Sequence, residues 1–423
     1  MIFDNQKGYV EIEKCRICRN EELVSILSLG TQYLTGVFPD RAEDHLTHGP
    51  LELVKCSISN PRDHCGLVQL RQSYNLNEMY SENYGYRSSL NQSMAEHLKA
   101  LVQELLKMVS ISAEDVILDI GSNDGTLLSF YPEKGPLLIG MDPTVKKFGQ
   151  YYKPHIRPIP DYFSAARFRS LCGDRKAKIV TSIAMFYDLE DPMAFMGEIR
   201  EVLADDGIWI LEQSYLPSML SANAYDTICH EHLEYYALRQ IKFMTDRTGL
   251  KVLNVNRNDI NGGSFAVTIA KDGSSYNPRT GEIEKLLLSE KPLDSEEIFE
   301  LFKERVFSHR GDLLRLLRGI KQSGELILGY GASTKGNVIL QFCGLTQMDL
   351  DCMAEVNPEK YGRLTPGTWI PIISEEEAHS MNPDYFLVMP WHFKQNVLHR
   401  ESNFLQEGGK LIFPLPEIKV VSG

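Results

Sequence analysis

The chain has 423 residues, too many for one ordinary hydrophobic core, so two or three domains are expected. An apolar share of 43% and a charged share of 24% are those of an average globular protein, and no apolar run approaches the length that spans a bilayer, which argues against a membrane partner. A formal net charge of −13 would repel a phosphate backbone and argues against nucleic acid, while leaving room for one small anion in a local pocket. The opening stretch, MIFDNQKGYVEIEKC, has no basic segment followed by an apolar one, so no secretory signal is read and a cytoplasmic location is expected. The eight cysteines are then metal ligands, buried thiols or site residues rather than disulfides.

Cys15 and Cys18 form a Cys-x-x-Cys pair, and Cys56 and Cys65 form a second, wider one. Four thiolates from two short loops close a tetrahedral structural zinc site, with no open position for chemistry. His64, beside Cys65, is the substitute ligand, and four unrelated buried cysteines are the plainer alternative. Residues 19–55 between the pairs show little strand or helix signal and little apolar mass. A lobe that small needs a metal to hold it together.

Apolar residues at helical spacing follow over residues 90–109. VILDIGSNDGTLLSF then predicts an apolar strand, a glycine turn and the start of a helix. LLIGMD (137–142), KIVTSIAMFYDL (178–189) and DGIWILEQSYL (206–216) predict three further strands. Alternating strands and helices mean a mostly parallel sheet with ligands at the strand C-termini. In the turn, Gly121 and Gly125 let the backbone approach a ligand, and Asp119 can hold an ammonium group. Asn123 and Asp124 complete the turn. Asp142, at the tip of the next strand, is placed for ribose hydroxyls. The departure from G-x-G-x-x-G and the acid inside the first strand favour S-adenosylmethionine over NAD.

AYDTICHEHLEYYAL packs His230, Glu231, His232, Glu234, Tyr235 and Tyr236 into seven positions. His-x-His suggests a metal. A histidine base for a carbon acid is the second reading, and a polar helix end with solvated charges the third. Further on, ELILGYGASTKGNVILQFC predicts strand, glycine loop and helix. Backbone N–H groups of that loop, with Lys335, make an anion cradle for a diphosphate. Its substrate-binding candidates are Gly331, Ala332, Ser333, Lys335 and Asn337, joined by Glu355, Asn357 and Lys360 at the end of a later strand.

A four-cysteine lobe, an Asp-x-Gly turn, HEHLEYY and GYGASTKGN, in that order over nearly the whole chain, resemble the nucleotide-sugar C-methyltransferases. The resemblance implies an α/β protein: a zinc-binding lobe (1–73), a class I methyltransferase domain of Rossmann-like fold (74–310) and a Rossmann-like sugar-nucleotide domain (311–423). It implies methylation of a carbon next to the keto group of an NDP-4-keto-deoxysugar through an enolate. His232 is then the base, Glu231 its neighbour, His230 the rival, and Tyr84 or Tyr86 a tyrosine of the entering segment. Two positions depart from the best-known members. Cys229 stands where they carry tyrosine, and Tyr187 where they carry histidine; both fall in the implied pocket. A sugar O- or N-methyltransferase, an NAD-dependent sugar oxidoreductase and a non-catalytic sugar-nucleotide binder are the competing readings.

Overall fold

The protein is described by a computed structural model over residues 8–42, 44–60, 62–79 and 85–423. Tyr84 lies outside these residues. Near the N-terminus β1 (Tyr9–Glu11) pairs with β5 (Gln72–Tyr74). Between them, β2 (Leu23–Tyr33), β3 (His48–Cys56) and β4 (Val68–Leu70) form an antiparallel sheet. This corrects the expectation of a strand-poor segment between the cysteine pairs. Register irregularities at Ser25/Leu27 and Ser28/Thr31 break the alternation of inward residues in β2, so the period-2 signal of a half-buried strand is hidden.

The central sheet contains β6 (Val116–Ile120), β7 (Leu137–Met141), β8 (Ile156–Ile159), β9 (Ala177–Ile183) and β10 (Leu203–Ser214), all parallel. β8 is a strand the sequence reading missed. After β10 the chain makes β11 (Glu234–Tyr235), which leaves this sheet and pairs with β4 of the N-terminal lobe. β12 (Leu250–Asn258) and β13 (Ser264–Lys271) then return as antiparallel strands, giving the order β12-β13-β10-β9-β6-β7-β8. The chain runs outward from β6 to β8 and restarts at β9 on the other side of β6. That reversal opens a crevice at the strand C-termini. Helix Gln92–Met108 packs Met94, Leu98, Val102 and Leu105 inward, and Asn91 caps it by accepting from Ser93 N and Met94 N. The helix expected after the β6 turn is only a short 3₁₀ turn, Leu128–Phe130.

Helix Glu297–Gln322 passes through residue 310 without a break and leads into the last sheet. That sheet holds β14 (Ile327–Tyr330), β15 (Met353–Glu355), β16 (Ile372–Ser374), β17 (Tyr385–Val388), β18 (Lys410–Phe413) and the antiparallel β19 (Lys419–Ser422). Its order, β16-β15-β14-β17-β18-β19, places a second switch point beside the end of β14. Among the described residues no helix is long and apolar enough to cross a membrane.

Candidate active site and zinc centre

The Sγ atoms of Cys15, Cys18, Cys56 and Cys65 lie within 4.8 Å of one another. Cys15–Cys65 and Cys18–Cys56 are each 3.5 Å apart. A zinc–sulfur bond of about 2.3 Å sets tetrahedral edges of about 3.8 Å, so the donor set fits one structural zinc ion. Among the described residues this is the one group of His, Cys, Asp and Glu side chains that could hold a metal. His64, the substitute ligand, is not part of this group; its Nδ1 accepts from Asn60 N at 3.3 Å and meets Ser59 Oγ at 3.0 Å. The metal reading of His230-x-His232 is likewise set aside.

At the central switch point lies a cavity of about 270 Å³. Asp119, Gly121, Asn123 and Asp142 line it, and Asp124 and Gly125 are not part of the lining. Gly121 has φ 72°, and a Cβ there would come within 2.9 Å of Met185 Cγ, so only glycine keeps this approach open. Burial raises the Asp119 carboxyl to about 7, opposed by the Thr181 hydroxyl donating to it at 2.5 Å. Asp142 accepts from Asn123 N at 2.9 Å and from Thr144 N and Oγ1 at 2.6 Å each, which fixes the rim of the cavity. Asn123 Oδ1 accepts from Ser88 N, and Asp124 Oδ2 from Ser89 N, pinning the entering segment so that half-exposed Tyr86 reaches the cavity.

Sequence reasoning missed the opposite wall. Asp188, Glu190, Glu212, Gln213 and Asn261 lie there, from the ends of β9 and β10 and the turn before β13. With Asp119 and Asp142 they bring five carboxylates to the lining and no lysine or arginine. Such a wall suits a sulfonium cation and disfavours the pyrophosphate of NAD. Glu212 is held by His97 Nε2 at 2.6 Å and Asn258 Nδ2 at 2.9 Å. Asp142→Ala is expected to weaken S-adenosylmethionine on the order of tenfold or more, by removing a carboxylate from the cavity lining together with its bonds to Asn123 and Thr144. Calorimetry checks this, and unchanged affinity would take Asp142 out of the site.

The HEHLEYY segment is not a helix end. Residues 228–233 are irregular, with a turn at 230–231, and the chain then enters β11. His230 is fully buried against the N-terminal lobe, with Nε2 donating to Gln32 O at 3.2 Å and its ring edge-on to Tyr74. His232 points elsewhere: its Nδ1 donates to Thr227 O at 2.9 Å and its ring lies 4.3 Å from that of Tyr187. That bond leaves Nε2 as the basic nitrogen. Burial, then the nearby Lys335 charge, push this imidazole down to about 3, so it is neutral at working pH. Glu231 faces Thr35 and Gly36 of the N-terminal lobe, its carboxyl raised by burial. Cys229 is a buried thiol pushed up by burial and by Glu231.

From the last sheet, Ser333 caps helix Thr334–Cys343 by accepting from Gly336 N at 3.0 Å. Gly331 holds φ 83° against Pro390. Lys360 Nζ donates to Ala332 O at 2.7 Å and to Glu355 Oε2 at 3.2 Å, and Asn357 accepts from Glu359 N beside them. Asn337 is spent on Thr35 O at 2.7 Å. Lys335 reaches across to Asn261 O at 3.1 Å, at the wall of the central cavity.

A zinc-binding domain model matches residues 15–80, a methyltransferase domain model residues 90–255, and a C-methyltransferase C-terminal domain model residues 259–416. The chain is 29% identical over 419 residues to the C-methyltransferase NovU of Streptomyces niveus, covering 97% of each. Two S-adenosylmethionine-dependent methyltransferase structures are more distant. That from Anabaena variabilis is 16% identical over 41% of this chain and 84% of its own, with a TM-score of 0.32. That from Clostridium acetobutylicum is 12% identical over 42% and 92%, with a TM-score of 0.33. Three domain models in series and a full-length relative agree: along nearly its whole length the chain is similar to C-methyltransferases, with a zinc-binding domain at the N-terminal end.

Proposed function

We propose that the acceptor is an NDP-4-keto-deoxysugar and that methylation occurs at the carbon next to its keto group, through an enolate. The observation that carries this reading is His232, a neutral imidazole whose Nδ1–H is tied to Thr227 O and whose Nε2 is the available base. When bound, S-adenosylmethionine supplies an electrophilic methyl group. His232 Nε2 takes the α-proton, and the C–H electron pair becomes the enolate. Tyr86 and Tyr187 are the donors assigned to its oxygen, with Tyr84 as the further candidate. The carbanion then takes the methyl, the carbon–sulfur bond breaks, and His232 returns its proton to solvent.

The sugar nucleotide belongs to the 311–423 part in this reading. The Gly331–Ser333 turn, the start of the helix behind it and Lys335 take the diphosphate, with Glu355, Asn357 and Lys360 towards the nucleoside, while Asn337 holds the N-terminal lobe instead. An anion on Lys335 also relieves its charge on His232, which raises the base towards a useful value. Cys229 and Tyr187 replace polar side chains of the better-known members, so they bear on which carbon is methylated.

The test is mass spectrometry on a panel of NDP-4-keto-deoxysugars with S-adenosylmethionine, alongside exchange of the α-proton into deuterated solvent. Methyl gain with exchange is expected. Methyl gain without exchange would assign O- or N-methylation instead. Lys335→Ala is expected to raise KM for the sugar nucleotide on the order of tenfold, with donor affinity unchanged. The reverse outcome would give the loop to the donor.

A further inference from the structure

Arg16 lies between the zinc ligands Cys15 and Cys18 in sequence, yet its side chain is 2% exposed and points away from the sulfurs. Its guanidinium donates to Leu70 O at 2.6 Å, Ser73 Oγ at 2.7 Å, Gln69 Oε1 at 3.4 Å and Gln72 O at 3.5 Å. Its Nε reaches Glu190 Oε2 at 3.5 Å, and Ser73 Oγ donates to the same oxygen at 3.0 Å. Glu190 is on the wall of the central cavity, in the loop after β9. Its other oxygen, Oε1, is buried with no hydrogen-bond partner.

Most of the Arg16 donors are spent on carbonyls and Ser73, and its contact with Glu190 is long. The carboxylate is therefore held in place without being fully neutralised. A buried carboxylate oxygen without a donor is costly, so it calls for a cationic or N–H partner. The cavity lining has no lysine or arginine, and its side-chain amides, Gln213 and Asn261 among them, do not donate to this oxygen. The ligand of this cavity carries two cations, a sulfonium and an α-ammonium.

We propose that Glu190 recognises a cationic group of the methyl donor, and that Arg16 and Ser73 are positioning residues which make the zinc knuckle part of donor binding. Donor binding needs no acceptor, so this stands or falls independently of the sugar.

The test is calorimetry with S-adenosylmethionine and S-adenosylhomocysteine on the zinc-loaded protein. Glu190→Gln is expected to weaken S-adenosylmethionine about tenfold, the loss of one charge-assisted contact. Equal weakening of S-adenosylhomocysteine identifies the ammonium as the partner. An unchanged S-adenosylhomocysteine affinity identifies the sulfonium. Ser73→Ala and Arg16→Met are expected to lose donor affinity to the same degree while keeping their zinc. The Ser73→Ala/Glu190→Gln double variant should be no weaker than Glu190→Gln alone. Where Arg16→Met loses zinc or fails to fold, Ser73→Ala decides. Wild-type donor affinity in Glu190→Gln overturns the assignment. Wild-type affinity in Ser73→Ala with a weakened Glu190→Gln overturns the positioning role.

Discussion

His232→Asn is expected to lower turnover on the order of 10²–10⁴-fold, the usual worth of a positioned general base. Exchange of the acceptor's α-proton with solvent should fall with it, because proton removal precedes methyl transfer. Asparagine keeps a donor for Thr227 O, so folding and both ligand affinities should stay near wild type. His230→Asn is the control. That ring contacts Gln32 O and Tyr74 in the packing between lobes, so its loss should cost about 1–3 kcal/mol of stability while exchange persists. Both are read by deuterium uptake and thermal unfolding. Exchange at the wild-type rate in His232→Asn, with none in His230→Asn, would swap the two roles. Exchange intact in both would pass the role to Tyr187, whose ring faces His232.

Removal of zinc should have an effect as large, by another route. Structural zinc in small lobes contributes on the order of 10 kcal/mol to folding. Cys56 ends β3, Cys65 precedes β4, and β4 carries β11 at its edge. Melting the metal site therefore frees Glu234 and Tyr235, and with them the turn that holds His232. Elemental analysis should find about one zinc per chain, consistent with a single closed four-thiolate site. Cys15→Ser or exhaustive chelation should abolish turnover and lower the thermal midpoint of unfolding. A metal-free protein with native stability and full activity would refute the assignment.

Several features of this fold are local enough to read along the chain. The two cysteine pairs are close in sequence, and thiolates at such spacing can share one ion. The helix over Gln92–Met108 has its cap at Asn91 and its apolar stripe in period. The glycine turns after β6 and β14 follow apolar strands directly, and positive φ at Gly121 and Gly331 meets that demand. The order of these signals was sufficient for the family and the donor.

What joins the pieces was not legible. HEHLEYY has the composition of a helix end or a catalytic loop, and nothing in it announces an edge strand for a lobe built 165 residues earlier. His230 and His232 look equivalent in sequence. Only packing separates them, one against Gln32 and Tyr74, the other against Tyr187 and Thr227. Arg16 reads as a solvated charge between two cysteines, but its carboxylate partner is 174 residues away. Periodicity and spacing report on neighbours within a turn or two, whereas a hydrogen bond or a β pairing between distant segments exists only once the backbone has brought them together. The sequence by itself determined the local elements, the four clustered cysteines and the glycine turns; tertiary packing decided how differently the two histidines are held and which acids face the cavity.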